Sequence, residues 1–126
     1  MEPEPASGTL IFLFTDLEGS TRLWEQFPQA MKAALERHDR ILQAAVAASN
    51  GQVVKTTGDG MMAVFTSAAA AAKSCVVAQR DLAAEPWGAT GALRVRMGLR
   101  AVYETFTEGF TTADLTEARA LLQTDP

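Results

Sequence analysis

The 126-residue chain has one cysteine, one histidine and one asparagine. A lone Cys75 excludes a disulfide framework or a cysteine-based zinc site within one chain; set in a helical pattern beside Val76 and Val77, it reads as a small buried hydrophobe. A lone His38, with no second imidazole or thiol nearby, reads as a structural histidine rather than a ligand. There is no excess of positive charge: 11 Lys and Arg stand against 15 Asp and Glu, a net −4, so no basic footprint for nucleic acid is expected. No apolar run approaches the roughly 20 residues of a membrane helix. The opening MEPEPASG lacks the basic and apolar regions of a secretory signal and reads as a disordered arm over 1–7. A cytoplasmic protein without nucleic-acid or membrane partners is the expectation. The length suits one domain with a real core.

What is present is organised around Leu10–Thr21, LIFLFTDLEGST. Its first half is short, β-branched or aromatic and apolar on both faces, as in a central strand covered on both sides. The run ends in Thr15-Asp16, and Ser20-Thr21 open a short helix carrying Leu23, Trp24 and Phe27. Pro28 suits the first turn of a second helix, in which Met31, Leu35, His38, Leu42 and Ala45 recur at spacings of four and three. Asn50-Gly51 stops it. Gln52–Lys55 and Met61–Phe65 read as strands joined by the turn Thr56-Thr57-Gly58-Asp59-Gly60. Thr66 or Ser67 caps a third helix, Ala68–Ala84, with Ala72, Cys75, Val76, Gln79 and Leu82 near one face. Leu93–Leu99 alternates like a half-exposed fourth strand.

With the first two helices taken as one crossover, the order is the βαββαβ split unit of a ferredoxin-like α+β fold, an antiparallel sheet with helices on one face. The expected strand order is fourth, first, third, second. That order brings Asp16, at the end of strand one, beside Asp59, at the start of strand three, with Lys55 at the same edge. Two carboxylates at adjacent strand tips suit a pair of Mg²⁺ ions, which favour a few carboxylates together with phosphate oxygens. The backbone N–H groups of Leu17 to Thr21 are placed to cradle phosphates. Taken singly, Asp16 is also an ordinary turn or capping residue and Gly58-Asp59-Gly60 an ordinary hairpin turn. Their convergence favours the metal site.

Phe14–Thr21 and Val54–Phe65 resemble the two metal-site motifs of class III adenylate/guanylate cyclase catalytic domains, and Leu93–Leu99 resembles the strand that follows in that family. The resemblance covers about residues 8–99. It implies that Asp16, Asp59 and the backbone carbonyl of Leu17 hold two Mg²⁺ or Mn²⁺ ions. It implies that Glu18, Gly19, Ser20, Thr21 and Gly58 lie against the nucleotide, and that Lys55 reads the base, lysine going with adenine. The implied reaction converts ATP to cyclic AMP and pyrophosphate, in cyclic-nucleotide signalling, within a homodimer or a heterodimer with a complete cyclase domain.

After Leu99 the pattern departs from the family. The family continues with a second half that supplies an Asn-x-x-x-Arg pair for the transition state. Here Asn50 is the sole asparagine, and Arg119 has Leu115 four positions before it. Impaired turnover is therefore expected, with a non-catalytic metal–nucleotide module, or a module that modulates a partner, as the alternative. The segment 100–126 reads as a tail with a helix over Asp114–Gln123. It resembles the C-terminus of long bacterial proteins that join a cyclase domain to an ATPase and helical repeats, as if the middle of such a protein were deleted.

Overall fold

A computed structural model describes residues 9–103 of the chain. Strand β1 (Thr9–Leu17) is followed by helices α1 (Ser20–Gln26) and α2 (Pro28–Ala48), strands β2 (Gln52–Thr57) and β3 (Gly60–Phe65), helix α3 (Ala68–Ala84), one 3₁₀ turn (Gly88–Thr90) and strand β4 (Val95–Tyr103). The strands form one sheet in the order β2-β3-β1-β4, every neighbour antiparallel. This is the βαββαβ arrangement that the hydrophobic pattern predicts. The arm 1–7 and the tail helix Asp114–Gln123 fall outside the described residues.

The sheet has two unlike faces because successive strand residues point to opposite sides. Ile11, Leu13 and Leu17 of β1 join Met61, Ala63 and Phe65 of β3 in a core with the buried stripes of the helices. On α2 that stripe is Met31, Ala34, His38, Leu42, Ala45 and Val46. The opposite face carries a smaller cluster of Leu10, Phe12, Met62, Val64 and Val102, with Val54 packed against it. Asp16 shares that second face by strand alternation, and so does Phe14.

Three details depart from the pattern read in the sequence. The buried side of α3 is Ala71, Ser74, Ala78 and Leu82, a stripe turned away from Ala72 and Val76; Val76 is 55% exposed. An alanine-rich helix has no strong apolar contrast to mark its inner face. Strand β2 continues past Lys55 to Thr57, so the hairpin turn is only Gly58-Asp59. The fourth strand begins at Val95 and runs to Tyr103, because β1 offers it a nine-residue partner from Thr9 to Leu17.

The end of α2 shows a tight fit. Asn50 takes a positive φ of 61°, as Asn tolerates better than most residues. At Gly51 a Cβ would meet the Phe65 ring at 2.4 Å. The chain can turn from helix to β2 there only because the residue has no side chain. The loop after α3 is held to α2 by Arg37: its guanidinium lies 5.2 Å from the Trp87 ring centroid, donates to the Trp87 carbonyl at 3.0 Å and pairs with Glu85 at 2.8 Å.

Candidate metal and nucleotide site

Strand β1 delivers Asp16 into the sheet between two neighbours. Its register partners are Gly60 on β3 and Arg96 on β4. The Gly58-Asp59 turn then puts Asp59 directly beyond Gly60, beside the end of β1. The main chain ties the two together: the Leu17 N–H donates to the Asp59 carbonyl at 3.1 Å. Two acids 43 positions apart in sequence thus meet at one end of the sheet. Gly60 permits the approach, since a Cβ there would stand 3.0 Å from the Thr15 carbonyl.

Among the described residues each carboxylate has one side-chain partner. The Ser20 hydroxyl donates to Asp59 Oδ2 at 2.6 Å. The Arg96 guanidinium pairs with Asp16 Oδ2. No motif in the sequence marks Arg96. The signal that points to it is the register: β4 must place one residue opposite Asp16, and alternation from Val95 makes that residue an arginine.

The loop from Leu17 to Thr21 behaves in two parts. The amides of Leu17 and Glu18 are not free to cradle a phosphate, because they donate to the carbonyls of Asp59 and Arg94, the latter at 2.8 Å. The strand ladders extend further than the sequence suggests and absorb them. Gly19, with φ 65°, forms the N-cap of α1, which has no side-chain cap. The amides of the first turn of α1, Ser20 and Thr21 among them, have no carbonyl within the helix, as in any helix. The Leu17 carbonyl receives no backbone hydrogen bond in return from the Asp59 N–H among the described residues.

This donor set fits a divalent cation. Among the described residues, two carboxylates with one oxygen each in a side-chain bond and the Leu17 carbonyl without a return bond from Asp59 offer hard oxygen ligands. Among the described residues no group of three or more His, Cys, Asp or Glu gathers. Magnesium is suited to such a sparse set, taking its other ligands from phosphates and water.

Lys55 lies apart from the acids. It is on the edge strand β2, opposite Met62, which in turn faces Phe14 on β1. Two strand spacings of about 4.8 Å separate it from β1. A bulge sets this position: the register shifts between Val53 and Lys55, leaving Val54 extra. Both Val54 and Lys55 then lie on the face away from the helices, a re-aiming that bulges commonly bring about. Lys55, Thr57, Gly60, Met62 and Phe14 line a pocket of about 180 Å³. It adjoins the row Thr57, Gly60, Asp16, Arg96 across the sheet. Gly58 sits in open space at the hairpin tip, where an added Cβ would have nothing within 4 Å.

His38 is no part of this site. It is 2% exposed in the α2 core, with Nδ1 2.9 Å from Asp39 Oδ1.

A family model for the adenylate and guanylate cyclase catalytic domain matches residues 3–101. The chain belongs to that family. An adenylate cyclase of Schizosaccharomyces pombe is 37% identical over 86 residues, 68% of this chain but 5% of the yeast protein. The cyclase domain fold is also seen in a monomeric adenylate cyclase of Trypanosoma brucei, with a TM-score of 0.74 at 23% identity, over 80% of this chain and 58% of that one. It is seen again in the guanylate cyclase domain of RhGC from Catenaria anguillulae in complex with GTP, with a TM-score of 0.67 at 16% identity, over 75% of this chain and 56% of that one. The cyclase-domain chain thus spans about a twentieth of its yeast relative and a little over half of these structural neighbours. No helix among the described residues is long and apolar enough to cross a membrane.

Proposed function

We propose that this chain supplies the metal-binding and base-reading half of a class III nucleotide cyclase site, with ATP as its nucleotide. The observation that carries the reading is the meeting of Asp16 and Asp59 at one end of the sheet, beside the Leu17 carbonyl. Two Mg²⁺ or Mn²⁺ ions bound there would lower the pKa of an attacking hydroxyl and offset phosphate charge. Asp16, Asp59 and the Leu17 carbonyl would hold them. Glu18, Gly19, Ser20, Thr21 and Gly58 border the triphosphate, with the first-turn amides of α1 as its donors. Arg96 stands beside the same site: its guanidinium, paired with Asp16, would offer two N–H groups to phosphate oxygens.

Lys55 is assigned to the base. Its ammonium donates to a ring nitrogen that is an acceptor in adenine and a protonated donor in guanine. Phe14, 37% exposed in the same pocket, offers an apolar wall. The reaction is attack of the ribose 3′-hydroxyl on the α-phosphorus. The new O–P bond forms, the bond to the bridging oxygen breaks, pyrophosphate leaves and the hydroxyl proton passes to water.

Turnover by these 126 residues alone is proposed to be impaired. Preorganised donors to a transition state contribute about 100- to 1000-fold each. The sole asparagine, Asn50, stands at the end of α2, next to Gly51 and Phe65, whereas the acids adjoin Gly60 at the other end of β3. A second copy of the chain brings only its own Asn50, at the same place in the fold, so efficient catalysis calls for a heterodimer with a complete cyclase domain. The same observation favours a second reading, a metal–nucleotide binding module without turnover.

One experiment separates the two. Cyclic AMP formation and Mn²⁺-dependent ATP binding are measured on the same sample of the full chain, beside the Asp16→Ala/Asp59→Ala double variant. Product above that control supports a working cyclase. Metal-dependent binding without product supports the module. Absence of both rejects the metal-site reading.

A further inference from the structure

Asp59 occupies the tip of a two-residue hairpin turn, where little else could hold a side chain in place. A Cβ added at its neighbour Gly58 would meet nothing within 4 Å, and β3 begins only at Gly60. Yet Asp59 is tied twice, once to the end of β1 and once to the start of α1. Its carbonyl accepts from the Leu17 N–H at 3.1 Å, and its Oδ2 accepts from the Ser20 hydroxyl at 2.6 Å. The first tie fixes the backbone of the hairpin. Only the second restricts the carboxylate.

Ser20 is free for this role because it is not used as a serine at a helix start usually is. The N-cap position belongs to Gly19, and no side chain caps α1. Being the first residue of the helix, Ser20 has a fixed backbone, so its hydroxyl reaches Asp59 from a rigid base. The bond occupies Oδ2 and leaves Oδ1 for a cation. A carboxylate that would otherwise sample several rotamers at a turn is held in one.

From this geometry we infer that Ser20 is a positioning residue for the metal site: its hydroxyl orients Asp59 and so sets the affinity of this chain for divalent cations. The inference rests on the metal-site reading of Asp16 and Asp59. Partners that orient a metal-binding group from outside the coordination sphere typically change metal affinity by about 10- to 100-fold when removed. Because neither Ser20 nor Asp59 is buried, losing the bond leaves both groups within reach of water, and the metal-free fold should keep its melting temperature.

The test is a titration of the full chain with Mn²⁺ alone, with free Mn²⁺ followed by electron paramagnetic resonance. Wild type, Ser20→Ala, Ser20→Thr and Asp59→Ala are compared, and each is checked by its metal-free melting curve. The expected result is binding to wild type, loss in Asp59→Ala, about 10- to 100-fold weaker binding in Ser20→Ala, and recovery to near the wild-type value in Ser20→Thr, which restores the hydroxyl. Ser20→Ala binding like wild type while Asp59→Ala does not would overturn the positioning role and leave the metal site standing. A Ser20→Thr variant as weak as Ser20→Ala would overturn it too, since the hydroxyl would then not be the cause. Wild type that binds no Mn²⁺ would overturn both readings together.

Discussion

Asp16 and Arg96 face each other across the β1–β4 ladder and are joined through their side chains. The pair is solvent-reached: the Arg96 side chain is 64% exposed and that of Asp16 52%, and exposed ion pairs contribute about 0–1 kcal/mol. Stability therefore does not explain the arginine. Arg96→Ala is expected to leave the unfolding free energy within ~1 kcal/mol of wild type. Mn²⁺ binding without nucleotide should be equal or tighter, since no guanidinium competes for Asp16. Metal-dependent ATP binding should weaken, by roughly the factor of ten or more that a lost charge-assisted contact of 1.5–3 kcal/mol implies. Chemical denaturation and calorimetry on the same variant check all three.

Removing either acid should act on binding and spare the fold. Asp59→Ala keeps the backbone carbonyl that Leu17 uses, and Asp16→Ala keeps its ladder positions. Both variants should retain the wild-type far-ultraviolet circular dichroism. Neither should bind ATP in a way that EDTA reverses, whereas EDTA should release ATP from wild type. ATP binding that survives in both variants would disqualify the acids as ligands.

The sheet and its acids are legible in the sequence because they rest on strong local signals. Apolar runs of the right length, a proline at a helix start and Asn-Gly at a helix end set the element order. Order then dictates which strand tips meet, so Asp16 and Asp59 converge without any contact being known. What stays hidden depends on register. The bulge at Val54 has no mark in the run Gln-Val-Val-Lys, yet it decides the face on which Lys55 lies. Arg96 becomes notable only when its row is counted against Asp16. The amides of Leu17 and Glu18 look available in the sequence because the ends of β1 cannot be read to within two residues. The inner face of α3 is misread for want of contrast between its alanines and its true contact residues. A chain read one residue at a time shows its periods; pairings between strands appear only when the strands are assembled.

Lys55 tests the base assignment. Reversing its charge leaves the acids untouched, since Lys55 stands two strands from β1. Lys55→Glu should lower the preference for ATP over GTP by about tenfold, the worth of one charged hydrogen bond near its lower bound. Competition binding of the two nucleotides in Mn²⁺ reads the ratio directly. An unaltered ratio would make Lys55 an ordinary solvated lysine of an edge strand.

Gly51 is expected to be among the least replaceable residues of the fold. A Cβ there would lie 2.4 Å from the ring of Phe65, and that ring is fully buried. Gly51→Ala should therefore cost about 1–3 kcal/mol through overpacking. Urea unfolding should show a lower midpoint with an unchanged slope. By contrast Gly58→Ala, where the added Cβ would meet nothing within 4 Å, should leave the midpoint near that of wild type.

Cys75 is expected to make stability fall in alkali. Desolvation by burial raises its thiol pKa above the ordinary value. Between the ordinary value and the raised one, the folded chain keeps a proton that the unfolded chain has lost. Stability must then fall as pH rises through that interval, because the native state binds more protons; below the ordinary thiol value the contribution is fully present. Cys75→Ala removes the titrating group and leaves only a packing loss that is constant with pH. Melting curves from pH 7 to about pH 10 should therefore converge, with wild type losing stability faster than Cys75→Ala at the alkaline end. Parallel curves would show that the thiol titrates alike in both states.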